Sequence, residues 1–522
     1  MFNAPITIRT LLVLGICAAL AVLLGYITAS PFDRTSLVVF GLVALVFAFP
    51  FLLRWHHPLM IFVWNMNAIV FLLPGRPPLW LFMVLVSTLF SLGHFALDKK
   101  ARYLSVPPLI YPLLFLAIVT LVTAKLTGGI GLGSLGAATA GGKRYIFLLG
   151  AIMGYFALTC HEIPRRRAYV YTALFFLGGA TMIIGNLLPL INPAFYIIFA
   201  IFPPEQSGLE ALGLMQESAI RRLGGLTFAS TALFCVLLAC YGIRGIFDIS
   251  SPLKFFPFKF RGGFAVNKPW RLIIFIFALL ISLLGGFRSI VVIFALTFFF
   301  QFYFERLFRT YLFPTFVILG ILLASVALPM ADKLPLSIQR AVSVIPFIKV
   351  DPIARLSAED SSRWRLEMWK MVIPQVPQYF FLGKGYGLKS HELEILSDQT
   401  ARGQGSSAEV AILAGDYHNG PLSVIMPFGI WGVIGFVWLI IASLKLLLHN
   451  YRYCEPELQN INRFLLAYFV ARAIFFFAVF GSLYTDMAFF AGIVGLSVSL
   501  NGGMGSKKTD TIKASSSEEI AV

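Results

Sequence analysis

The stretch AGDYHNGPLSVIMPFGIWGVIGFVWLIIASL, residues 414–444, begins polar and turns without transition into membrane-like sequence. Asp416, Tyr417, His418 and Asn419 stand immediately before Gly420-Pro421, and the apolar run continues to Leu444. A span takes about 20 mostly apolar residues, and this one is long enough. A polar segment that ends on a span places its last side chains at the membrane lip. The side that lip faces, and what else gathers there, decide how the chain is read.

Working outward, comparable runs occupy 8–29, 36–53, 58–74, 79–97, 107–125, 145–160, 168–190, 223–242, 271–286, 289–304, 311–329, 464–481 and 484–500. The segment 191–202 (INPAFYIIFAIF) is too short to span and is read as interfacial or re-entrant. With 58% hydrophobic and only 12% charged residues, the composition excludes an ordinary soluble domain. The expected fold is an all-α polytopic membrane protein of about 12–14 transmembrane helices. The first run lacks a small-residue cleavage site followed by a soluble domain, so it reads as a first helix, not a signal peptide.

The formal charge of +17 follows topology, not nucleic acid. The basic loops DKKAR (98–102), PRRR (164–167), 244–271 and ERLFR (305–309) fall on alternate connections. Positive charge is retained in the cytoplasm, which puts both termini there and the long segment 330–420 outside. Anionic membrane lipids are the partner this charge implies. The organisation expected is a helical bundle over 1–329, an external loop with amphipathic helices over 330–420, C-terminal spans over 421–501, and a disordered cytoplasmic tail over 502–522. The five cysteines show no disulfide framework or zinc spacing.

Within the loop, 332–347 mixes polar and apolar residues as a surface helix would. As a helix, 363–373 places Trp364, Met368, Met371 and Val372 on one face, with Arg363, Glu367 and Lys370 on the other. Asp360, Ser361 or Ser362 is its expected cap and Pro374 its stop. Such a helix suits the bilayer surface.

Several cations then stand out by position. Arg288 lies between two apolar runs at an external turn, where an arginine is expensive unless it reaches water, a headgroup or an anionic ligand. Arg221 and Arg222 sit at the external rim of another span and break the inside-positive pattern, and Arg363 and Arg365 open the loop helix. Planar guanidinium forks suit phosphate and diphosphate. His418 abuts a span on the outer side, and a neutral imidazole there can take a proton from a sugar hydroxyl. Asp416 can orient the ring or be merely solvated. GKGYG (383–387) lacks the strand–helix setting of a phosphate loop and reads as a turn. No carboxylate or histidine cluster has metal-ligand spacing, so no metal is expected.

In order, SRWRLEMWK (362–370), FFLGKGYG (380–387) and YHNGPLSVIMPFGIWGVIGF (417–436) resemble the O-antigen ligase family, whose relatives include O-antigen and exopolysaccharide polymerases. LGGFRSIVVIFAL is similar to the family's Ser-Arg-Gly span, and IRRLGGLTFASTALF to its Arg-x-x-Gly span start. Two departures stand: Phe287-Arg288-Ser289 replaces Ser-Arg-Gly, and Thr227-Phe228-Ala229 replaces Asn-Pro-Asn. The resemblance covers about 215–500 and implies a GT-C-like, metal-independent glycosyltransferase needing no cofactor. It would work on the periplasmic face of the bacterial inner membrane, with undecaprenyl-diphosphate-linked glycan as donor. By that resemblance Arg288, Arg363 and one of Arg221 or Arg222 bind the diphosphate. His418 assists the acceptor hydroxyl, while Asp416, Asn419 and Arg365 support it. The acceptor is a lipid A–core sugar if the protein is a ligase and a lipid-linked repeat unit if it is a polymerase. The reading from another class is a polysaccharide or lipid transporter, for which two related halves and midplane ionisable groups are the usual signs.

Overall fold

A computed structural model describes residues 8–505 apart from 30–32, 74, 98–102, 129–141, 213–219, 221, 248–267, 311, 344, 346–347, 389–391 and 393–407. Arg221 and the expected tail from 506 onward thus lie outside the described residues. The chain opens with α1 (Ile8–Ala29), α2 (Arg34–Val63), α3 (Leu79–Leu97), α4 (Pro107–Thr127) and α5 (Gly142–Leu158). Next come α6 (Ala168–Leu177) and α7 (Met182–Ile191), joined through a 3-10 turn, then α8 (Gly224–Phe247), α9 (Lys268–Leu283), α10 (Arg288–Phe304) and α11 (Leu312–Met330). Two loop helices, α12 (Leu336–Val342) and α13 (Pro352–Val372), precede α14 (Gly420–Tyr453), α15 (Gln459–Ala478) and α16 (Leu483–Asn501). Among the described residues eight helical segments are long and apolar enough to cross a membrane, and α9 and α10 are shorter apolar helices. The protein is an all-α polytopic membrane protein.

The last two helices form the centre. Phe464, Phe469, Phe476 and Phe490 are buried there, with α16 packed on α5, α15 on α10, and α14 on α4. Helices in lipid gain little from hydrophobic burial and rely on close packing at small residues. Gly492 sits against Trp64 and Phe175, and Gly495 against Leu158. Large apolar side chains on α2, α3 and α11, such as Phe47, Leu89 and Leu322, point outward, as a bilayer solvent permits.

One segmentation is corrected. The expected spans 36–53 and 58–74 are replaced by the single helix α2, after which the chain leaves helical conformation until Leu79. Side chains fasten this connection: Trp64 Nε1 donates to Ala488 O (3.1 Å), Asn65 Nδ2 to Phe175 O (2.8 Å) and Asn67 Nδ2 to Pro203 O (2.7 Å). Polar groups inside the apolar run thus find fixed partners outside a helix.

The two ends of the bundle differ. At one end Tyr451 Oη donates to Phe304 O (3.0 Å), Arg165 pairs with Glu455 (3.6 Å), and Ser499 Oγ donates to His161 O. Glu305 accepts from Ile243 N (2.7 Å) and Arg244 N (3.1 Å), filling the break at Gly242. This end carries Arg165–Arg167, Arg306 and Arg309. The opposite end gathers the start of α5, α8, α10, α14 and α16, together with both loop helices.

Candidate functional site

Helix α13 brings the loop to the bundle. Its cap is Asp351, whose Oδ1 accepts from Ile353 N (2.7 Å), and Pro352 follows at the first helical position. The expected cap at 360–362 is therefore wrong: Ser361 and Ser362 lie inside the helix. Their hydroxyls bond back to carbonyls one turn earlier, a local option that makes serine ambiguous between cap and interior. They also accept from arginines. Arg288 Nη2 donates to Ala358 O (2.8 Å) and Ser362 Oγ (3.0 Å), fixing the start of α10 to α13.

Arg340 on α12 is buried, and it donates to Gly286 O (2.6 Å), Ser357 Oγ (3.1 Å) and Ser361 Oγ (2.8 Å). It ties the turn before Arg288 to both loop helices. The surface helix expected over 332–347 is thus a short buried clamp. Of the expected apolar face of α13, Met368 and Val372 are buried with Tyr417, Leu422 and Met426, while Met371 is exposed. Trp369 Nε1 donates to Tyr417 O (3.0 Å), so α13 holds the segment carrying His418.

His418 adopts a left-handed backbone with φ 46°, a conformation uncommon for a residue with a side chain. Asn419 then caps α14, its Oδ1 accepting from Leu422 N (3.0 Å). The imidazole sits between Trp364 and Phe480, with ring centroids 5.1 and 5.2 Å away. Asp416 Oδ2 lies 3.8 Å from His418 Nε2, an ion-pair distance beyond hydrogen-bond range. Burial lowers the His418 pKa below its ordinary value, the Asp416 carboxylate opposes that shift, and the Arg365 charge adds to it. Arg365, with its guanidinium 5.8 Å from the Phe480 ring, is itself lowered by burial and by the charge of Arg288. Arg288, Arg365 and His418 therefore form one electrostatic group drawn from α10, α13 and the start of α14.

The other expected residues separate. Arg222 packs over the Phe287 ring at 5.5 Å, one residue from Arg288. Arg363 is exposed on the outer face of α13, while Arg365, read as supporting, is the one turned inward. The GKGYG turn is seated on a break in α14. With Pro427 and Gly429 (φ 61°) interrupting the helix, Met426 O accepts from Lys384 N (2.7 Å) and Pro427 O from Gly385 N (3.0 Å), and Ile430 N donates to Phe380 O (2.7 Å). Gly383 has φ 74°, and a Cβ there would collide with Pro427 O.

Two arginines were not singled out from sequence. Arg340 had no positional signal in a mixed-polarity loop. Arg144, at the start of α5, stacks 4.4 Å over Tyr484 and 5.4 Å from Tyr386. Its signal was present, since Lys143-Arg144 opens an apolar run much as Arg221-Arg222 does.

One end of this helical membrane protein thus brings the guanidinium groups of Arg288 and Arg365 together with the imidazole of His418. Residues 271–437 match the family model described as O-antigen ligase, so the resemblance read from the loop and its flanking helices is borne out over this segment. The match spans α9 to the first half of α14, including Arg288, Arg365 and His418. No curated protein matches the chain at a significant level.

Proposed function

We propose that the protein is an inverting glycosyltransferase of the O-antigen ligase type, moving undecaprenyl-diphosphate-linked glycan onto a lipid A–core sugar at the periplasmic face of the bacterial inner membrane. The observation that carries this reading is the grouping of Arg288 and Arg365 with His418 at the bundle end opposite the basic connections. Retention of positive charge in the cytoplasm makes the site end periplasmic. There the lipid tail of a donor lies in the bilayer and its diphosphate at headgroup depth.

The chemistry follows. His418, kept neutral by burial, accepts the proton of the acceptor hydroxyl as its oxygen attacks the anomeric carbon. The bond from that carbon to the diphosphate oxygen breaks, and undecaprenyl diphosphate departs with its electron pair. Arg288 and Arg365 stabilise the charge that develops on the leaving group, with Arg222 beside them. Attack opposite the leaving group inverts the anomeric carbon. Asp416, 3.8 Å from the ring, stabilises the positive charge the imidazole acquires with that proton, and the lipid anchor with α13 supplies orientation.

The test is to delete the gene, complement with wild type or His418→Ala, and separate lipid-linked glycans by length. The ligase reading requires accumulated long chains in the deletion strain and in His418→Ala at wild-type abundance. Accumulated single repeats would identify a polymerase instead. Unchanged glycan attachment by His418→Ala would remove the histidine from the chemistry.

A further inference from the structure

The polar atoms behind His418 are not all accounted for by the mechanism. Among the described residues, Arg144 Nη1 and Asp416 Oδ1 are both buried without a hydrogen-bond partner. Orphaned buried groups cost enough that each calls for an explanation. The two belong to one neighbourhood. Arg144 Nη1 lies so close to Gly415 that a Cβ on that glycine would come within 2.7 Å of it, and Gly415 precedes Asp416. Tyr484, whose ring carries the Arg144 guanidinium, interacts electrostatically with Asp416 as well. Arg144 therefore presents a donor beside Gly415, and Asp416 an acceptor on the residue that follows. Asp416 divides its two oxygens: Oδ2 faces the imidazole and Oδ1 does not.

We propose that Arg144 and Asp416 Oδ1 together hold one hydroxyl of the acceptor sugar, making Arg144 an acceptor-binding residue contributed by the amino-terminal half of the bundle. A sugar hydroxyl is suited to this pair, because it accepts one hydrogen bond and donates another. A phosphate satisfies Arg144 and is repelled by Asp416, and an ammonium group satisfies Asp416 and is repelled by Arg144. The flanking rings of Tyr386 and Tyr484 keep the planar guanidinium directed, as stacking favours for arginine. With the hydroxyl on Oδ1 and the imidazole on Oδ2, one carboxylate sets the distance between the bound sugar and the base that deprotonates its neighbouring hydroxyl. The donor diphosphate is served by other residues, so the two substrates are read by separate arginines.

This inference rests on the transferase reading, and its test separates the two. Purified wild type, Arg144→Met, Arg144→Lys and Arg288→Lys are supplied with lipid-linked glycan and lipid A–core, both extracted from the deletion strain. Undecaprenyl diphosphate binding is measured in parallel. Arg144→Met is expected to raise the acceptor KM roughly 10- to 100-fold, the worth of one charge-assisted hydrogen bond. Its undecaprenyl diphosphate affinity stays at the wild-type value, whereas Arg288→Lys lowers that affinity. Arg144→Lys retains the charge but not the planar head stacked on Tyr484 that aims the donor, so it shows the same KM effect and decides the matter if the methionine variant does not fold. An unchanged acceptor KM in the lysine variant, or an equal loss of donor binding, overturns the acceptor role of Arg144. Failure of wild type to bind undecaprenyl diphosphate or to transfer glycan would instead strike the transferase reading itself.

Discussion

Arg340→Met gives the sharpest test of how the loop is held. The side chain is buried and spends three donors across two elements: on Gly286 O at 2.6 Å, Ser357 Oγ at 3.1 Å and Ser361 Oγ at 2.8 Å. Hydrogen bonds from a charged donor contribute roughly 1.5–3 kcal/mol each. The full sum overstates the loss, because methionine restores apolar packing and Ser361 Oγ keeps its own bond to Ser357 O at 3.0 Å. Gly286 O, left without that donor, costs about 1–3 kcal/mol, and the two hydroxyl contacts about 1 kcal/mol each. A net loss on the order of 3–5 kcal/mol follows, felt as local opening of the 284–290 turn and of 331–362. Amide exchange in these two segments should rise roughly 100- to 4,000-fold, with α15 and α16 unchanged. Arg340→Lys, which reaches fewer of the three acceptors, should fall between. Exchange within about threefold of wild type in the methionine variant would show that α12 does not secure the turn carrying Arg288.

The remaining predictions concern the chemistry. Transfer rate against pH should fall on the acidic side with a midpoint below the ordinary histidine value of 6.5, because the folded-state His418 pKa is lowered. Asp416→Asn removes the influence that raises this pKa and should move the midpoint lower, while Arg365→Met removes one that lowers it and should move the midpoint up. Shifts in the same direction for both would refute the electrostatic grouping. Arg365→Ala should lower transfer roughly 10- to 100-fold, the range for one charge-assisted contact. Arg363→Ala, on the exposed face, should stay within about threefold. Arg288→Lys should impair transfer although its charge remains, since an ammonium replaces the two-pronged fork; wild-type rates would remove Arg288 from diphosphate binding.

The sequence carried the fold class plainly, because apolar run length is a direct consequence of bilayer thickness. It carried the helices α9, α10, α15 and α16 closely for the same reason. It misread 58–74, where Asn65 and Asn67 turned an apolar stretch into a bonded connection, since run length does not reveal a side chain's distant acceptor. His418 and Arg288 were legible as polar groups stranded at span ends. Arg365 and Arg363 were separable only by helical phase, and the start of α13 was misplaced because serine suits both cap and interior. Arg340 was beyond reach: its significance lies in Gly286, which is far from it in the chain.

The match over 271–437 invites the view that this segment is a portable module, and the contacts of the GKGYG turn argue against it. Tyr386 N donates to Tyr145 Oη on α5 (2.7 Å), and the His418 ring rests on Phe480 beyond α15. During synthesis the early helices must wait in the bilayer for the loop, and the imidazole lacks one of its two aromatic walls until the penultimate span has been inserted. A truncation before Phe480, or a chimera grafting only the matched segment onto another amino-terminal half, would deliver Arg288, Arg365 and His418 without the surroundings that hold them together.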